Sequence, residues 1–98
     1  MLKMPSELML ELGQRIGVRR KAFGWTQQAA AERSGVSYRT WRRLESAGQA
    51  SIEDLVKATV ALRCEEGLES LFPPPAAASL DDLLRRQKTQ TRRSGGRP

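Results

Sequence analysis

The chain has 98 residues, 39% of them apolar, which allows one small domain with a modest core and a tail. It carries a net charge of +6, no histidine and a single cysteine. There is therefore no imidazole base, no zinc cluster and no intramolecular disulfide; no glycine-rich phosphate loop is present either, so neither enzymatic activity nor a metal or cofactor is expected. With no signal peptide and no apolar run near 18 residues, the expected location is the cytoplasm, away from any membrane.

In chain order, Ser6 is the expected cap of a first helix whose apolar positions Leu8, Leu12, Ile16 and Phe23 recur near helical spacing until Gly24 breaks it. Trp25 precedes the next cap, at the position of a hydrophobic staple. Thr26 caps two turns of alanine-rich helix from Gln27 to Ser34, and Gly35 takes the left-handed conformation that ends it. Ser37 caps the following helix. Its apolar side is Trp41 and Leu44 with Val36 ahead of it, and its other side is Tyr38, Arg39, Arg42 and Arg43. These two short helices joined by a tight turn predict a helix-turn-helix, with small Ala31 where the helices cross. Ser46 to Ala50 reads as a turn. Ser51 and Asp54 then open a fourth helix with Ile52, Leu55, Val56, Thr59 and Leu62 on its apolar face, and Cys64 reads as a small core filler. A fifth helix is expected over Glu66 to Phe72, with Leu68, Leu71 and Phe72 on one side, before Pro73-Pro74-Pro75 stops it.

The chain accordingly divides into a domain over residues 1–72, a semi-rigid spacer over 73–79, and a segment over 80–98. In that last segment Leu80, Leu83 and Leu84 mark a short helical piece, capped by Ser79 and too short to stand alone. From Lys88 onward the composition cannot bury a core, and disorder is expected. Charge follows the same division. Arg85, Arg86, Lys88, Arg92, Arg93 and Arg97 make residues 85–98 carry the whole +6, so the remaining 84 residues are neutral. Within those, residues 15–43 hold eight bases and one acid, whereas residues 44–84 hold two bases and eight acids. One part of the domain is built to face a polyanion, and another is not.

Across residues 12–62 the chain resembles the Cro/C1-type helix-turn-helix family of phage and bacterial repressors, also called the xenobiotic-response-element (XRE) family. The resemblance is carried by Gly24-Trp25-Thr26-Gln27-Gln28, Ala31, Gly35-Val36-Ser37 and Arg43-Leu44-Glu45. It implies an all-α fold: a compact five-helix lambda-repressor-like domain, here followed by a flexible basic C-terminal tail. In that family the second motif helix lies in the major groove and the N-terminus of the preceding helix sits on phosphate. The resemblance thus implies a DNA-binding set of Thr26, Gln27, Gln28, Ser37, Tyr38, Arg39, Arg42 and Arg43, with Gln27 on phosphate or base and the tyrosine and arginines as readers. It also implies an ion pair between Arg20 and Glu45. The sequence departs from the family where Trp25 and Trp41 replace Leu or Ile and Ala30 replaces Leu, a volume exchange that keeps interior density. Arg19 also stands at a commonly apolar position.

A charged helix face taken alone is usually only a solvated face; the surrounding motif is what turns these arginines toward nucleic acid. The expected function is a sequence-specific transcriptional regulator, a repressor binding a palindromic operator on double-stranded DNA as a homodimer in the bacterial cytoplasm, at the nucleoid. The expected dimer interface is Leu68, Leu71 and Phe72, and the basic tail is expected to be a nonspecific electrostatic arm. A second reading rests on Glu65, Glu66 and Glu69, the Leu71-Phe72-Pro73 stop and the Ser79 to Leu84 segment. These resemble the HipB group of antitoxin repressors, which autoregulate their operon and hold a kinase-like toxin as protein partner. A third reading, a protein adaptor, is opposed by the bases on the exposed face of the second motif helix.

Overall fold

A computed structural model describes residues 2–76 and 81–87. The expected Ser79 cap, Leu80 and the basic arm from Lys88 lie outside the described residues. Five helices follow in order: α1 (Pro5–Ala22), α2 (Gln27–Ser34), α3 (Tyr38–Ala47), α4 (Ile52–Ala61) and α5 (Glu65–Glu69). Residues 81–87 are also helical, and there is no strand among the described residues.

Local chemistry explains most boundaries. The hydroxyls of Thr26, Ser37 and Ser51 accept the backbone N–H of Ala29, Thr40 and Asp54, each three residues on, at 3.0, 3.1 and 3.0 Å. Gly35 closes α2 with φ of 79°, its N–H bonded to the Ala31 carbonyl. The first helix starts earlier than Ser6 predicts: Met4 is the cap, Pro5 takes the first helical position, and the Glu7 carboxylate accepts the Met4 N–H at 3.4 Å. The last helix stops earlier than expected, at Glu69. The Ser70 hydroxyl bonds back to the Glu66 and Gly67 carbonyls, and Phe72, whose φ is 56°, precedes Pro73, a place where helix is disfavoured.

Trp41, Ala30 and Ala58 are completely buried, and Ile16, Ala31, Val36, Leu44 and Leu62 complete the core, with Leu12, Trp25, Leu55 and Cys64 packed against it. Helix α3 packs on both α1 and α2, while α4 lies on α2 and carries α5. The α1 face that meets α3 is Gly13, Ile16, Gly17 and Arg20. Two glycines in the middle of a helix cost stability unless something needs the space. Here a Cβ on Gly13 would stand 2.5 Å from the Leu44 carbonyl oxygen, and one on Gly17 would stand 2.9 Å from Glu45 Oε1. The C-terminal turn of α3 therefore rests directly on the α1 backbone.

Two expected core faces are corrected. On α1, Leu8 and Phe23 are exposed: the Gly48 turn after α3 meets α1 at the Met9 carbonyl, leaving Leu8 beyond the contact, and Phe23 stacks on Trp25 with ring centroids 4.7 Å apart. The Arg33 and Arg19 guanidiniums lie 4.8 Å from the Trp25 ring centroid and 5.7 Å from the Phe23 ring centroid, so each ring has a cation over it. On α4, Ile52 is 81% exposed and Val56 is exposed as well. The inward stripe is instead Leu55, Ala58, Thr59 and Leu62, because small Ala58 lets α4 approach α2. Arg19, at a position the family commonly fills with an apolar residue, ties α1 to the end of α4 by donating from Nε to the Leu62 carbonyl at 2.9 Å and from Nη2 to the Arg63 carbonyl at 3.4 Å. A cation there satisfies carbonyls that the helix end leaves open.

Candidate nucleic-acid interface

Because α3 is held inward by Trp41 and Leu44, the residues one step round the helix must face solvent. Tyr38, Arg39, Arg42 and Arg43 are all exposed. Among the described residues no carboxylate pairs with any of the three arginines. Gln27, Arg39, Arg42, Arg43, Glu45 and Ser46 line an open recess of about 600 Å³ between the start of α2 and the outer face of α3. Thr26, Gln28, Ser37 and Tyr38 lie outside that lining. Thr26 and Gln28 are exposed at the N-terminus of α2, whose amide groups favour an anion. The Ser37 hydroxyl accepts the Thr40 N–H and donates to Thr40 Oγ1 at 2.8 Å.

The one carboxylate in the recess is already taken. Glu45 Oε1 accepts from Arg20 Nη2 at 3.0 Å and from Gln27 Nε2 at 3.1 Å, while Oε2 accepts from Arg20 Nε and the Trp41 indole N–H. Arg20 in turn donates from Nη1 to the Trp25 carbonyl at 2.7 Å. One carboxylate thus joins α1, the start of α2 and α3, and Arg20 extends the link to the loop before α2. Burial pushes the Glu45 carboxyl up, but the hydrogen bonds from Arg20, Trp41 and Gln27 and the Arg20 charge outweigh it and hold the group below the usual carboxylate range. The hydrogen bond from Arg20 to Glu45, against a smaller opposing effect of burial, raises the guanidinium above its ordinary value. With Glu45 internally neutralised, the recess presents the charge of three unpaired arginines.

Placed against the expected site, Arg20 and Glu45 meet, and Gln27 joins Arg39, Arg42 and Arg43 around one recess. Gln27 is half-buried and spends one amide N–H on Glu45, which leaves its carbonyl oxygen and its second N–H without a partner among the described residues. Leu68 is half-buried, whereas Leu71 is exposed and Phe72 is 89% exposed. Sequence reasoning missed Gly13 and Gly17, although their spacing of four along α1 was a visible sign of close helix approach. It also missed the Trp41 indole as a donor to Glu45. The signal was present, since residues four apart share a helix face.

A paired set of short helices joined by a tight turn, with an exposed, cationic second helix, is the arrangement of a helix-turn-helix. Residues 16–68, more than half of the chain, match a family model described as Helix-turn-helix, of the XRE type, and the chain belongs to that family. The family is one of DNA-binding regulatory domains and not of enzymes, so the protein is a DNA-binding helix-turn-helix protein of the transcription-regulating class. Neither a curated protein nor a solved structure matches the chain. Among the described residues no group of acids, cysteine or histidine is placed to hold a metal, and no helix is long and apolar enough to cross a membrane.

Proposed function

We propose that the protein is a sequence-specific repressor that binds a palindromic operator as a homodimer, with α3 in the major groove and the start of α2 against phosphate. The observation that carries this reading is the set of three arginines, without acidic partners among the described residues, on the outer face of α3 around a recess whose lining carboxylate, Glu45, is neutralised from within. Arg forks donate in pairs to guanine edges or to phosphate, the chemistry such a face performs best. A ten-residue helix is about 15 Å long and spans about four base pairs, too few to select one site in a genome. Two copies on a two-fold operator offset that limit, with half-sites about 34–36 Å apart. Leu71 and Phe72, exposed just beyond α5, are the surface offered to the second copy.

Sedimentation of the full chain, free and with a selected palindromic duplex, tests the dimer. Two copies per duplex are expected, and a Phe72→Ser variant should weaken the pairing. One copy per duplex at tens of micromolar would refute it. Co-purification of a kinase-like protein with the parent but not with the Phe72 variant would instead assign the exposed apolar end to an antitoxin role.

A further inference from the structure

We infer that Arg42 reads a guanine in the major groove and that Tyr38 is the residue that positions it. The inference rests on the placement of α3 against DNA proposed above and adds to it the base that one side chain selects. Arg42 follows Tyr38 by one helical turn, and side chains on a helix lean toward its N-terminus, so the Arg42 side chain reaches back over residue 38. The guanidinium carbon lies 5.6 Å from the Tyr38 ring centroid, within the range at which a ring attracts a cation. Arg39 and Arg43 have no such ring beside them among the described residues.

An exposed arginine ordinarily loses side-chain freedom when it binds, and that cost blunts its choice of base. A guanidinium already held against a ring loses less. Its N–H groups also remain open, because among the described residues no hydrogen bond or carboxylate engages Arg42 and a ring attracts a cation without taking its N–H groups. A planar fork with two open N–H groups matches the paired acceptors N7 and O6 that only guanine displays in the major groove. The same Arg42 lines the recess shared with Gln27, Arg39 and Arg43, the recess a base edge would enter in the proposed docking. Arg39 and Arg43, without a ring to order them, have the freedom suited to phosphate or to a base chosen by the rest of the site.

The test is selection of duplexes with a randomised core by the full chain, followed by affinity measurement on the winning duplex and its single-base changes. The parent should prefer guanine at one position of each half-site by roughly 5- to 150-fold. Arg42→Ala should flatten that position and leave the others. Tyr38→Ala should reduce the guanine preference by roughly 2- to 5-fold, whereas Tyr38→Phe, which keeps the ring, should restore it. A guanine preference that survives Arg42→Ala, or a Tyr38→Phe variant as impaired as Tyr38→Ala, would overturn the inference while leaving DNA binding intact. Enrichment of no duplex by the parent would overturn the DNA reading itself.

Discussion

Replacing Glu45 by glutamine changes almost no volume but inverts half of its hydrogen bonding. The carboxylate accepts four bonds, two on each oxygen. An amide keeps one accepting oxygen and turns an NH₂ toward two donors, so two of the four N–H groups lose their partner and Arg20 loses its counter-charge. The Arg20 and Glu45 side chains are only 10% and 11% exposed, so water compensates little. Breaking such a pair from one side costs roughly 3–5 kcal/mol, against a total stability of about 5–15 kcal/mol for a small domain. For a domain of this size that corresponds to a fall in Tm on the order of 12 °C or more. Circular dichroism melts and urea titrations at neutral pH measure it directly. The pH dependence supplies a second reading. In the folded chain the Glu45 carboxyl lies below its ordinary value of 4.5, to which it returns on unfolding. Its contribution is therefore complete above that value and is lost as pH falls through the lower, folded one. The parent should lose stability in that acidic window, and Glu45→Gln should lose correspondingly less there. Replacing both partners, Arg20→Met with Glu45→Leu, should be milder than Glu45→Gln alone, because no charge is left buried without its mate. A Glu45→Gln protein within about 1 kcal/mol of the parent, with an unchanged acid profile, would refute this account of the contact between α1 and α3.

Gly13→Ala should destabilise by roughly 1–3 kcal/mol even though alanine is the better helix former, since its Cβ would sit 2.5 Å from the Leu44 carbonyl oxygen; a urea midpoint at or above the parent's would contradict that close approach. Arg39→Ala and Arg43→Ala, if these residues touch base edges, should each weaken operator binding by about 1–3 kcal/mol with little change on random duplex, and equal losses on both would reassign them to phosphate. Removing residues 85–98 should weaken operator and random duplex by similar factors and flatten the salt dependence by about 0.9 per phosphate released, with operator preference intact; an unchanged salt slope would exclude the arm from DNA.

The features legible in the sequence were those decided within a few residues of the chain. Thr26, Ser37 and Ser51 cap helices by reaching amides three residues ahead, and Gly35 ends one by adopting a φ that other residues avoid; neither choice consults the rest of the molecule. The inward turn of Trp41 and Leu44, and with it the outward turn of Tyr38, Arg39, Arg42 and Arg43, follows from the helical period alone. What only the tertiary structure decided are the relations between helices. Periodicity admits Ile52 and Val56 as readily as Ala58 to the buried face of α4. The phase was set by how closely α4 can approach α2, and Ala58, with its single methyl, allows the closest contact. Leu8 stays exposed because the Gly48 turn marks where α3 leaves α1, a length the α1 sequence does not encode. Gln27 and Trp41 converge on Glu45 because three chain segments arrive at one largely shielded carboxylate, and a charge shielded from water is held by the donors around it.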